Sequence, residues 1–298
     1  METEERKQAP LSLRVAFMLV LVAIVMLIAV RVLNAVSIYP PLPMDASRAP
    51  ALAKERDDVT ELQITTEDNV KLYGWLIGDE DAKRRMIAFT GNGDHVGSIA
   101  QLYTAHAHAL DAQCIIFDYR GYANSEGTSS EQGLYRDARA VYSYAVNELK
   151  WAPDQVILWG RSLGGGPAIK LAHELLSDQR PDSLANGGAP RALILEAPFT
   201  CISDMAQVAM PHLGKPEWLI YECYDNIARA PELTLPVFHF HGTGDGIIPY
   251  AQGEALCDVL PDHEHMKLEG TGHNDIWSDQ ERAAEIRGRI LAFLERQE

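Results

Sequence analysis

The chain has 298 residues, 47% of them hydrophobic, which is enough to bury a sizeable core in one α/β domain with an appendage. Its formal net charge of -16 excludes the clustered Lys and Arg of a phosphate-binding surface, and so argues against a nucleic-acid partner. Four cysteines (Cys114, Cys201, Cys223, Cys257) lack C-x-x-C spacing, so no zinc or redox motif is expected. Cys114 and Cys257 read as small apolar core residues, and a Cys201–Cys223 disulfide is compatible with an oxidising compartment.

After a short tail (residues 1–14) comes VAFMLVLVAIVMLIAV at 15–30, a run without a charged or polar side chain. With its apolar flanks it reaches the roughly 20 residues that a bilayer-spanning helix requires. Residues 15–36 are therefore expected to be a single-pass transmembrane anchor, with Arg14 and Arg31 snorkelling to the two interfaces. A secretory signal peptide cleaved near Ala35-Val36-Ser37 is the competing reading, which the length of the run disfavours. Arg6, Lys7 and Arg14 precede the span while Arg31 and Arg48 follow it, a bias that puts the domain on the non-cytoplasmic side. Residues 37–58, with PPLP and Pro50, read as a Pro-rich linker.

From residue 59 the pattern changes. Residues 61–65 and 70–77 are β-prone, and Glu67-Asp68-Asn69 suits a hairpin turn between them. Further strands are predicted at 85–90, 113–118, 155–159, 192–196, 236–241 and 265–269. Helices are predicted at 96–110, 130–150, 163–176, 250–260 and 277–296. An antiparallel start followed by β-α alternation predicts an α/β fold, with a mostly parallel central sheet covered by helices on both faces.

Chemistry in such a sheet belongs at the C-terminal ends of its strands. Gly160-Arg161-Ser162-Leu163-Gly164 follows the strand at 155–159 and opens a helix, the context that G-x-S-x-G needs to expose a nucleophilic hydroxyl. Gly165 and Gly166 are expected to allow close helix–sheet packing, and Pro167 falls in the first helical turn. His273 sits in a Gly-flanked loop after the last strand, placed to take the Ser162 proton as general base. Asp245 follows the strand at 236–241 and is expected to orient His273, whereas the nearby Asp275 faces elsewhere. The order Ser162, Asp245, His273 is the one this topology demands. An oxyanion needs two backbone N–H donors, expected from Leu163 and from Asn92 in the loop Thr90-Gly91-Asn92-Gly93.

The combination of DYRGYANSEG at 118–127, GLYRDA at 133–138, GRSLGG at 160–165, Gly-Thr-Gly-Asp ending at Asp245 and GHND at 272–275 resembles the α/β-hydrolase superfamily. It is most similar to the membrane-anchored, serine-aminopeptidase-like branch that includes relatives of protein depalmitoylases. The resemblance spans residues 59–298 and implies Ser162 as nucleophile, Asp245 as acid, His273 as base, and no cofactor or metal. Two positions depart from the branch. Thr90-Gly91 stands where His-Gly is usual, and Ala123 stands where Gly often follows the second Tyr. A Ser at the nucleophile position disfavours epoxide-hydrolase and dehalogenase chemistry.

About 40 residues separate the strands at 192–196 and 236–241, where this fold often inserts a cap. Part must form a helix, so residues 210–226 leave material for only a small flap over an open cleft. Trp218, Tyr221 and Tyr224 in that flap either line an apolar acyl pocket or pack into the core. The expected activity is cleavage of a carboxylic ester or thioester in a small molecule, a lipid or an acylated protein. The alternatives are an aminopeptidase or amidase of the same fold and a non-catalytic membrane scaffold. Nothing in the sequence sets the oligomeric state.

Overall fold

The computed structural model describes residues 15, 17–22, 24–27, 37–41, 48–209, 212 and 220–298. Among these residues, eight strands form one sheet: β1 (Val59–Thr65), β2 (Lys71–Ile77), β3 (Arg84–Phe89), β4 (Ala112–Phe117), β5 (Val156–Arg161), β6 (Ala192–Glu196), β7 (Val237–Gly242) and β8 (His263–Leu268). Their spatial order is β1-β2-β4-β3-β5-β6-β7-β8. The β1–β2 and β2–β4 pairs are antiparallel, and every later pair is parallel. The hairpin turn is made by Asn69, whose φ of 61° a short polar side chain tolerates, with Thr66 N–H bonded to the Val70 carbonyl.

Successive side chains on a strand point to opposite faces, so each central strand feeds two cores. Ile87 and Phe89 of β3, with Leu158 and Leu193, meet the helices α3 (Glu131–Asn147) and α4 (Gly165–Leu176) on one face. Met86, Ala88, Trp159 and Phe240 meet α2 (Val96–Ala109) and α8 (Gln280–Glu295) on the other. Burial on both faces is why the parallel strands read as near-continuous apolar runs. Each fully buried large side chain contributes about 1.5–3 kcal/mol relative to exposure.

Polar caps set the helix ends more tightly than hydrophobic pattern alone. Ser130 accepts the Gly133 N–H at the start of α3, and Asp279 accepts the Arg282 N–H at the start of α8. Helix α8 therefore starts at Gln280, three residues after the predicted Trp277.

Part of the expected linker is folded. Ala49–Ala53 forms a short helix, α1, whose Pro50 suits a first turn, and Ala49 and Ala53 are buried in the second core. The expected anchor at 15–36 lies in part outside the described residues. Residues 15, 17–22 and 24–27 are helical with exposed apolar side chains. Among the described residues, no helix is long and apolar enough to cross a membrane.

Candidate active site

Strand β5 ends in a strained turn. Ser162 has φ 52°, in the left-handed region, and opens a 3-10 turn (Ser162–Gly164) that leads into α4. The turn explains why the helix begins two residues later than the predicted Leu163. A Cβ on Gly164 would fall on the Phe89 carbonyl of β3, and one on Gly160 would lie 2.8 Å from the Gly165 Cα. Only glycine lets strand, turn and helix approach this closely. Gly166 is tight for another reason: a Cβ there would strike the Tyr224 ring, whereas Gly165 has only ordinary contact with Pro198. The expectation that Gly165 and Gly166 both serve helix–sheet packing is thus corrected.

His273 lies in the loop after β8 and Asp245 in the loop after β7, so both reach the edge where β5 delivers Ser162. His273 Nε2 is 3.0 Å from Ser162 Oγ, and His273 Nδ1 is 2.6 Å from Asp245 Oδ2. An ionised carboxylate only accepts, so Nδ1 carries the proton and Nε2 is left to accept from the Ser162 hydroxyl. All three side chains are buried: Ser162 and His273 are each 8% exposed and Asp245 is 7% exposed.

Asp245 is also held by His241, whose role the sequence reading missed. His241 Nε2 lies 2.9 Å from the Ile248 carbonyl, which fixes it as a donor, and 3.2 Å from Asp245 Oδ2. Asp245 Oδ1 accepts the backbone N–H groups of Ile247 and Ile248, each at 2.8 Å. Burial alone would raise the Asp245 pKa. The hydrogen bonds from His241 and His273 outweigh it and hold the carboxyl well below its usual range.

Asn92 and Leu163 border the same cavity as Ser162. The loop that carries Asn92 is pinned through its carbonyls. Tyr119 Oη donates to the Thr90 carbonyl at 3.2 Å, and Tyr122 Oη donates to the Asn92 carbonyl at 2.8 Å. The Asn92 N–H shares its planar peptide with the Gly91 carbonyl, which accepts the Asp94 N–H at 3.3 Å and so holds that N–H in a fixed orientation. Asp94 completes the loop by accepting the Gly91 N–H at 2.8 Å and an ion pair from Arg161 Nη1 at 2.7 Å. The DYRGY stretch is therefore scaffolding for this loop. Asp118 likewise accepts the Val96 N–H that starts α2, and Arg120 pairs with the buried Asp137 at 2.7 Å.

A family model described as serine aminopeptidase, S33, matches residues 80–227. An uncharacterised protein of Mycobacterium tuberculosis (strain ATCC 25618 / H37Rv) is 32% identical over 238 residues, 79% of this chain and 77% of its own length. The alpha/beta hydrolase domain-containing protein 17B of Xenopus tropicalis is 30% identical over 197 residues, 66% of this chain and 62% of that protein. The chain belongs to the α/β-hydrolase superfamily. Solved structures agree on the fold. An alpha-beta hydrolase from Vibrio vulnificus has TM-score 0.66 at 20% identity, covering 84% of this chain and 89% of its own. An esterase of Pyrococcus furiosus has TM-score 0.64 at 20% identity, covering 87% and 97%.

The cavity of this hydrolase at Ser162 is about 350 Å³, at the small end for a ligand site. Its walls are mainly aliphatic: Ile202, Met205 and Ala206 of α5 (Ile202–Ala209), Ile220, Ile247 and Ile248, with Phe199 as its aromatic member. Of the two places expected for the flap tyrosines, acyl pocket or core, neither tyrosine lines the pocket and Tyr224 takes the core. Tyr224, just ahead of the short helix α6 (Asn226–Arg229), is wholly buried against Phe199 and Tyr135, and Tyr221 is 65% exposed. Trp218 lies outside the described residues. Ser37 and Ile38 also border the cavity, and Tyr39 bonds to Tyr224 Oη at 2.6 Å and Glu222 at 3.1 Å. The start of the stretch read as linker, residues 37–39, is thus docked beside the site. Cys201 and Cys223 are not joined by a disulfide.

Proposed function

We propose that this hydrolase is a membrane-anchored serine enzyme that cleaves carboxylic ester or thioester bonds through an acyl-enzyme intermediate. One observation carries the reading: the unbroken line from Ser162 through His273 to Asp245, opening into an apolar cavity. Ser162 Oγ attacks the acyl carbonyl carbon as its proton passes to His273 Nε2. Asp245 retains the Nδ1 proton and offsets the charge of the imidazolium. The Leu163 and Asn92 N–H groups receive the carbonyl oxygen as it becomes anionic. The imidazolium then protonates the departing alkoxide or thiolate, and a water repeats the sequence to release the acid and restore Ser162.

The apolar run at 15–36 serves as the anchor, with the domain on the non-cytoplasmic side as the flanking Arg and Lys suggest. Because Ser37 and Ile38 border the cavity, an acyl chain leaving the bilayer has a short apolar path to Ser162. Lipid esters and acylated protein segments are the substrates that suit this arrangement. Ser162→Ala should lower p-nitrophenyl ester hydrolysis about a thousandfold or more while leaving the fold intact. It should also abolish labelling by a fluorophosphonate probe, and a wild-type chain that fails to label would favour an inert scaffold.

The description of the matching family model favours a second reading, an aminopeptidase or amidase. Aminoacyl amides offered beside esters separate the two. Amine release at a rate rivalling ester cleavage would overturn the esterase assignment.

A further inference from the structure

Strand β7 (Val237–Gly242) carries two fully buried histidines in an otherwise apolar sequence, His239 and His241. His241 binds Asp245 and the Ile248 carbonyl through Nε2, and its Nδ1 is buried without a hydrogen-bond partner. His239 meets a cysteine instead. Its Nδ1 lies 2.8 Å from Cys257 Sγ, while its Nε2 is buried without a hydrogen-bond partner. An unsatisfied buried polar atom is destabilising, so an apolar residue would serve a simple core better. On the adjacent edge strand β8, His265 faces the same place, its ring 4.7 Å from that of His239. Cys257 arrives from the last turn of α7 (Tyr250–Cys257) and is 5% exposed.

We propose that His239, Cys257 and His265 form a binding site for a zinc ion, separate from the hydrolytic centre. One ligand atom from each lies within 4.8 Å of the other two. Two imidazoles and a thiolate suit a borderline-soft ion, held at about 2.0–2.3 Å in tetrahedral geometry with water in the fourth position. Burial lowers the pKa of both His239 and His265, so both offer a neutral ring with a lone pair. The Cys257 thiol is pushed up to about 12 by burial, so binding must release its proton to solvent as the sulfur becomes a ligand.

The site would clip three elements together: the strand that leads to Asp245, the edge strand β8, and α7. No C-x-x-C spacing announces it, because its ligands come from two strands and a helix.

The test uses the full chain in detergent, stripped with a chelator and titrated with Zn²⁺ against a chromogenic competitor. One equivalent should bind, and Cys257→Ser and His265→Gln should each weaken it at least about 100-fold. Cobalt(II) in place of zinc reads ligation directly, since a thiolate-to-cobalt charge-transfer band should appear in the wild type and vanish in Cys257→Ser. Ser162→Ala should bind both ions as the wild type does, which separates this proposal from the hydrolytic one. No binding, no thiolate band, or unchanged affinity in folded Cys257→Ser and His265→Gln would overturn it.

Discussion

Arg161 and Glu196 are cross-strand neighbours whose side chains form an ion pair, Nε to Oε1 at 3.1 Å, around a carboxylate only 1% exposed. Burial pushes the Glu196 pKa up, and Arg161 opposes that shift with the indole N–H groups of Trp277 and Trp159, at 2.7 and 3.2 Å. The same guanidinium holds Asp94 in the loop after β3. A single side chain, the residue before Ser162, therefore ties the buried floor of the sheet to the loop that carries Asn92.

Replacing Arg161 tests that link. Arg161→Ala strands a buried carboxylate and should cost about 3–5 kcal/mol of stability. Arg161→Lys keeps the charge but loses the two-sided fork, so it should fold while its kcat for an ester falls about tenfold with KM little changed. Denaturant melts and steady-state kinetics read both effects. Wild-type kcat in a folded Arg161→Lys would mean that the loop orients itself without this pair.

The hydroxyl of Tyr122 is the second support of the loop. Tyr122→Phe removes one hydrogen bond to the Asn92 carbonyl, worth about 1 kcal/mol, and should lower kcat about fivefold. The effect should be confined to acyl transfer, because the Tyr122 ring remains buried against Tyr119. An equal loss in substrate affinity alone would assign Tyr122 to binding instead.

Much of this arrangement is legible in the sequence because the physics is local. Strands buried on both faces read as apolar runs, and Gly160-Arg161-Ser162-Leu163-Gly164 announces a strand–turn–helix. The meeting of Ser162, Asp245 and His273 follows once the strands are placed in order. Arg161 is not legible, since it occupies the unconstrained position of that motif and its partner Asp94 is 67 residues away. His241 is hidden for a related reason: in an alternating buried strand it reads as core, and only the fold of the next loop brings Asp245 beneath it. The flap aromatics left two readings open, pocket or core, because composition does not say which way a ring turns. Tyr224 turns inward, where Gly166 leaves room for its ring.

Ala123 departs from the glycine often found in relatives, and the backbone shows the consequence. Its φ is 40°, in the left-handed region that costs a residue with a Cβ about 1–2 kcal/mol. Glycine relieves that strain but adds freedom to the unfolded chain, which recovers somewhat under 1 kcal/mol. Ala123→Gly should therefore raise Tm by about 1–4 °C with activity unchanged. Scanning calorimetry decides it, and a lowered Tm would show that Ala123 sits at that φ without strain.

The pH dependence of stability follows from Asp245. Its native pKa lies below the ordinary 3.8 because His241 and His273 donate to the ionised form. The unfolded chain then binds more protons than the native one between those two values. Ionised Asp245 therefore stabilises the fold fully above about pH 5, and that contribution is lost as pH falls through 3.8 and below. Asp245→Asn sets an amide N–H₂ among four N–H donors and should cost about 2–3 kcal/mol near pH 7. Its deficit against wild type should shrink steadily below about pH 4, where the unfolded wild-type carboxylate takes up a proton while the native one stays ionised. Ester hydrolysis should fall by up to about 10⁴-fold, because the amide favours the wrong His273 tautomer. Urea melts of both proteins across this range supply the comparison, and a deficit that stays constant down to about pH 2.5 would show that the carboxylate carries no proton-linked stability.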